Sequence, residues 1–182
     1  IRFLISILLI ALLLPIFILV FIAIKLSSKG PVFYWSRRIG KDKKVFWMPK
    51  LRTMRVETPQ LATHLLDDAD SYLTPIGNIL RKYSIDEIPQ IYSILKGDMN
   101  FIGPRPALFN QDDLVELRSK EGLISETPGL TGWAQINGRD NITIEEKVKF
   151  EKEYKQRQSF SFDLYIIWRT FVKVIRKDGV IH

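Results

Sequence analysis

Two adjacent carboxylates, Asp86 and Glu87, stand in the run Ser84-Ile85-Asp86-Glu87-Ile88-Pro89-Gln90. Flanked by apolar Ile85 and Ile88, such a pair can hold Mg²⁺ or supply a nucleophile. Ser-x-x-Glu is also a capping box, in which Ser84 and Glu87 would do no more than start a helix. Pro89 fits that reading poorly and fits better as a first helical residue. Asp86 and Glu87 would then lie just ahead of a helix N-terminus, whose unpaired N–H groups favour ionised carboxylates and anionic ligands. Arg105 lies between Pro104 and Pro106 in Phe101-Ile102-Gly103-Pro104-Arg105-Pro106. Its backbone is therefore stiff, and a guanidinium held this way suits bidentate phosphate binding; a rigid turn with a solvated Arg is the plainer alternative. From Thr127 to Arg139, Pro128-Gly129 and Asn137-Gly138 are turn dipeptides that bracket a short strand and then present Arg139. Exposed backbone N–H groups beside Arg139 would make an anion cradle, and a simple β-hairpin is the alternative. Asp68-Ala69-Asp70 could hold a metal-bridged nucleotide diphosphate, but next to Asp67 it reads better as a solvated acidic stretch. No Walker loop and no G-x-G-x-x-G occurs.

The elements that must position these residues fall into three charge zones. Residues 3–24 carry no charge, residues 25–55 hold ten Lys/Arg against the single Asp42, and residues 56–182 hold sixteen Lys/Arg against nineteen Asp/Glu. This is a greasy arm, a basic collar and a near-neutral body, which argues against a nucleic-acid binder. The 182 residues suit one domain with an appendage. With no cysteine, and only His64 and His182 as imidazoles, thiolate chemistry and a multi-histidine metal centre are excluded. The apolar arm would be a helix about 33 Å long, enough to cross the hydrocarbon core of a bilayer. No small-residue cleavage site ends it, so a signal peptide is disfavoured. Pro15 at its middle implies either a kinked spanning helix or a re-entrant hairpin of two short limbs. In both cases the basic collar places the body on the cytoplasmic side.

Val32–Trp35 and Val45–Met48 read as strands joined by a turn at Gly40-Lys41-Asp42-Lys43. Thr74–Tyr83, Ile88–Leu95, Gln111–Glu121, Ile142–Gln156 and Ser161–Arg176 read as helices, and Met99–Ile102 as a brief strand. Gly97 should end its helix in the left-handed conformation. Ser161–Arg176 has an aromatic face with basic flanks, as expected of a helix lying in a membrane interface or packed on the body's own core. The expected class is α+β, mostly helical.

Taken together, these segments resemble the monotopic bacterial phosphoglycosyl transferases, the minimal bacterial sugar transferase family. The resemblance runs over nearly the whole chain. It is carried by Gly30-Pro31-Val32-Phe33, Arg38-Ile39-Gly40, Lys50-Leu51-Arg52-Thr53-Met54, Gly77 to Arg81, Ser84 to Gln90, Leu95 to Met99, Gly103 to Pro106, Pro128 to Arg139 and Phe160 to Leu164. It implies a re-entrant membrane helix broken at Pro15 (residues 1–24) and a catalytic domain (residues 25–182) on the cytoplasmic face of the bacterial inner membrane. It implies transfer of a sugar phosphate from a UDP-sugar to polyprenyl phosphate with release of UMP. Asp86 would be the covalent nucleophile, Asp86 and Glu87 the Mg²⁺ ligands, and Arg105, Arg139, Lys50, Arg52, Arg81 and Gln135 substrate-binding residues. The chain departs from the family pattern at Leu14, Leu51 and Glu151, where Ser, Phe and Asp are common. The competing readings are a metal-dependent glycosyltransferase built on Asp68-x-Asp70, which would release UDP, and a non-catalytic basic adaptor on anionic lipid.

Overall fold

A computed structural model of the chain describes residues 2–59, 69–138 and 142–176. The first element, α1 (Arg2–Ser27), is one helix that runs uninterrupted through Pro15. The two separate limbs expected of a hairpin are not distinguished within it. Only 6% of its apolar window is buried, so it is a greasy surface rather than a core helix. Its less exposed positions, Ser6, Leu9, Leu13, Phe17, Val20 and Ile24, recur every three or four residues and form one stripe. Phe17, Val20 and Ile24 join Val32, Leu51 and Leu80 in a common cluster, and Phe17 stacks on Phe33. The arm is thus bonded to the body by packing at its C-terminal half.

Strands β1 (Phe33–Ile39) and β2 (Val45–Leu51) form an antiparallel hairpin in which Arg38 faces Phe46 and Tyr34 faces Lys50. Both strands are longer than expected. The connecting turn puts Asp42 and Lys43 at positive φ, and Gly40 N–H donates to the Lys44 carbonyl at 2.8 Å. Pleating sorts the basic collar between two faces. Ser36, Arg38, Met48 and Lys50 share the inner face, while Trp35, Arg37, Val45 and Trp47 share the outer one.

Three short helices follow or flank the chain's centre: α2 (Gly77–Lys82), α3 (Ile91–Lys96) and, later, α4 (Asp112–Lys120). Gly97 caps α3 at φ 84°, the left-handed end expected of it. Strand β3 (Asn100–Ile102) is followed by β4 (Ala107–Leu108), which adds to the free edge of β1. Strand β5 (Gly129–Thr131) pairs in parallel with β3, so the glycine-rich segment is not the β-hairpin that its turn dipeptides allowed. It continues into α5 (Trp133–Ile136). Helix α6 (Ile144–Arg157) opens with a complete capping box between Thr143 and Glu146. Helix α7 (Phe160–Arg176) buries Phe162 and Ile166 in a cluster with Ile136 and Tyr154. Its opposite stripe, Leu164, Ile167, Trp168, Phe171 and Ile175, stays exposed. The two roles open to this helix, core packing and an outward apolar face, therefore coexist on opposite sides. The result is a mostly helical α+β fold with a short sheet.

Candidate active site

Asp86 and Glu87 lie inside a 3₁₀ helix, Ile85–Gln90, which also contains Pro89 and runs straight into α3. The dyad is thus within the turn, not ahead of a helix that starts at Pro89. The capping box is not formed either. Ser84 is left-handed (φ 53°), makes no side-chain cap, and accepts from Glu87 N–H through its backbone carbonyl at 3.2 Å. That i→i+3 bond is the tighter winding of a 3₁₀ turn, which points both carboxylates inward. They are 7% and 8% exposed.

Buried carboxylates need partners, and distant elements deliver cations. Lys50 of β2 donates from Nζ to Glu87 Oε1 at 3.1 Å and stands 3.9 Å from Asp86 Oδ2. Arg105 Nη2 donates to the same Glu87 oxygen at 2.9 Å. Burial pushes the Lys50 ammonium below the ordinary lysine range; Glu87 and then Asp86 pull it back up, and Arg105 and Arg38 press it down.

The loop carrying Arg105 rests on backbone contact that only glycine permits. Gly103 N–H donates to Thr131 O at 2.9 Å, and Gly129 N–H donates to Pro104 O at 2.8 Å. A Cβ on Gly129 would come within 2.1 Å of Gly103 N, and one on Gly132 within 2.1 Å of Gly103 O. The segments Gly103–Pro106 and Gly129–Gly132, which the sequence presented as two anion-binding candidates, are therefore one assembly.

Other expected ligands have different places. Arg52, 4% exposed, donates to Ser28 O and Ser28 Oγ at 2.8 Å each, and also to Lys29 O. It holds the carbonyls of the two residues just past α1 and so ties the arm to the body, while its Nε is buried with no hydrogen-bond partner among the described residues. Arg81 donates to Thr53 Oγ1 at 3.1 Å and approaches Met54 Sδ at 3.4 Å. Gln135 is buried beside Gly132, and among the described residues neither its Oε1 nor its Nε2 has a hydrogen-bond partner. An amide with both ends unsatisfied in a buried place suits a ligand contact. Arg139 and Asp68 lie outside the described residues, while Asp70 is exposed in the turn Ala69–Tyr72. Arg38 was missed among the candidates. It donates to Pro106 O at 3.2 Å and shares the inner strand face with Lys50; the strands expected from sequence ended at Trp35 and Met48, short of both residues. Among the described residues no three His, Cys, Asp or Glu side chains cluster as a metal cage. Two carboxylates do suit Mg²⁺, which takes one or two of them together with substrate phosphates and water.

A family model described as bacterial sugar transferase matches residues 1–177. An uncharacterized sugar transferase, EpsL, of Bacillus subtilis is 40% identical over 158 residues, covering 86% of this chain and 76% of its own length. The exopolysaccharide production protein ExoY of Sinorhizobium fredii is 34% identical, covering 97% of this chain and 84% of its own. The UDP-glucose:undecaprenyl-phosphate glucose-1-phosphate transferase of Escherichia coli is 37% identical over 87% of this chain, which matches 36% of that longer protein.

Proposed function

This chain belongs to the bacterial sugar transferase family, and from that premise we infer that it transfers a sugar 1-phosphate from a UDP-sugar to a polyprenyl phosphate at a membrane surface. The observation that carries the reading is the buried dyad with Lys50 and Arg105 on Glu87. An oxygen of the Asp86 carboxylate attacks the phosphorus that bears the sugar. The bond from that phosphorus to the bridging oxygen breaks, and UMP departs with the bridging oxygen. An oxygen of the polyprenyl phosphate then attacks the same phosphorus and displaces Asp86, leaving a polyprenyl diphosphate sugar. A phosphate monoester is an adequate acceptor because its second pKa lies near 6. Arg105 and Lys50 stabilise the negative charge that passes through the site, Arg105 with a planar fork. Glu87 holds these two cations in place. Asp86 and Glu87 are the residues that would hold Mg²⁺, which offsets diphosphate charge when bound. Gln135, Arg139 and Arg81 complete the proposed substrate contacts.

One substrate is a lipid and the other is water-soluble, so the site belongs at headgroup depth. Three exposed surfaces support that placement: α1, the outward stripe of α7, and the outer hairpin face of Trp35, Arg37 and Trp47. Aromatic and basic side chains together favour the interface. The basic collar supports a body on the cytoplasmic face of the inner membrane. Pro15 removes a hydrogen bond to Ala11 O and permits the arm to turn back to that face. The deciding experiment is a panel of UDP-sugars with undecaprenyl phosphate and the full chain in detergent, with the released nucleotide identified. UMP is expected. UDP would point to a glycosyltransferase, and no nucleotide with any sugar to a non-catalytic adaptor.

A further inference from the structure

We propose that Arg118 and Glu151, which lie on two helices outside the dyad, are positioning residues that set the place of Arg105. The proposal rests on the reading of Arg105 as a ligand of the diphosphate. Arg118 on α4 and Glu151 on α6 are 6% and 3% exposed. Arg118 Nε donates to Glu151 Oε2 at 2.8 Å and Nη2 to Oε1 at 2.5 Å, a two-pronged pair. The same Nη2 also donates to the backbone carbonyl of Arg105 at 2.9 Å.

The need for this third bond follows from the loop's composition. Pro104 and Pro106 have no N–H, so the loop around Arg105 is poor in donors and must be held by its acceptors. Three consecutive carbonyls are each gripped by a different element. Pro104 O accepts from Gly129 N–H at 2.8 Å, Arg105 O from Arg118 at 2.9 Å, and Pro106 O from Arg38 at 3.2 Å. Of these, only the Arg118 grip acts on the residue whose guanidinium reaches Glu87. Glu151 fixes the Arg118 fork, and so aims it at that carbonyl.

A buried ion pair is by itself a weak source of stability, since apolar side chains of similar size often replace one without loss. That property makes the role testable. The paired variant Arg118→Met/Glu151→Leu removes both charges and strands neither. Melting temperature and kcat/KM for the UDP-sugar are measured for the full chain in detergent, alone and combined with Arg105→Lys. The expected result is a melting temperature close to native with kcat/KM lower by on the order of tenfold or more. In that background Arg105→Lys should cost only a small further factor, because the guanidinium has already lost its aim. Arg118→Lys serves as a second variant should the pair fail to fold. It keeps the charge opposite Glu151 but cannot hold carboxylate and carbonyl in one fork, and it should show the same loss and the same coupling. Native kcat/KM in the folded variants would overturn the proposal. So would an Arg105→Lys penalty equal in both backgrounds, which leaves the reading of Arg105 standing. An Arg105→Lys enzyme as active as native would overturn both.

Discussion

Asp86 and Glu87 are neighbours in one turn with different surroundings. Glu87 Oε1 is shared by Lys50 and Arg105, whereas the nearest Asp86 oxygen lies 3.9 Å from Lys50, beyond hydrogen-bond reach. Glu87, whose Oε1 is shared by two cations, is the proposed organiser, and Asp86 is the proposed attacking group. Asp86→Asn should therefore lower turnover by about 10³-fold or more with the fold intact. Native protein given UDP-sugar alone should show, by intact-mass spectrometry, a phosphosugar adduct that maps to Asp86. Near-native UMP release from the Asn variant would rule out this nucleophile. Lys50 supplies a pH signature. Its folded value lies below 10.5, chiefly through burial. Between the folded and unfolded values the unfolded chain binds more protons, so this group's contribution to stability rises with pH across that window. Activity runs the other way, because the neutral amine no longer offsets phosphate charge. The alkaline limb of kcat/KM should fall below the ordinary lysine range, and Lys50→Arg should move it upward. An unchanged limb in Lys50→Arg would assign it to another group.

Among the elements, the parallel pair β3–β5 decides where Arg105 can stand. Backbone meets backbone there, so nothing flexible can yield. A Cβ at Gly129 would lie 2.1 Å from Gly103 N and 2.5 Å from Ile102 C. Gly129→Ala should cost roughly 2 kcal/mol or more of stability and most of the activity. Gly122→Ala makes a useful contrast, since no atom of the described residues lies within 4 Å of the new Cβ and its φ of 68° is what opposes it. That change should cost about 1 kcal/mol and leave UMP release nearly native. Equal thermal shifts for the two variants would show that the glycine contact is not what holds the loop.

For the whole molecule, the main question is how the arm meets the membrane. Its C-terminal half is tied to the body twice, by Phe17, Val20 and Ile24 in the core and by Arg52 on the carbonyls of Ser28 and Lys29. Its N-terminal half carries Arg2 before an uncharged run, as its other end carries Lys25 after it. Two basic ends favour one side of the bilayer. A cysteine introduced at Ile1 should resist an impermeant thiol reagent added to intact cells and react after the membrane is opened. Pro15→Ala, by restoring the hydrogen bond to Ala11, should expose the label from outside in a fraction of the molecules. The chain has no native cysteine, so the background is clean. Labelling of the otherwise native protein from outside would establish a spanning helix.

Local chemistry was legible in the residues alone. The uncharged arm, the left-handed cap at Gly97 and the late helices are each set by residues within a few positions of one another, where spacing speaks directly. The strands expected from sequence ended at Trp35 and Met48, so the placing of Arg38 and Lys50 on one inner face came only with the full hairpin. Other outcomes depended on residues far apart in the chain. Ser84-x-x-Glu87 matches a capping box, yet the turn tightened into a 3₁₀ helix that delivers Glu87 to Lys50, 37 positions away. Two turn dipeptides suggested a hairpin, yet Gly129–Thr131 found a parallel partner in Asn100–Ile102. Arg52 met the backbone just past α1 across 24 positions, and Arg118 met Glu151 across 33. A buried charge takes whichever partner the packed chain brings within reach, and only the tertiary structure decides which partner that is.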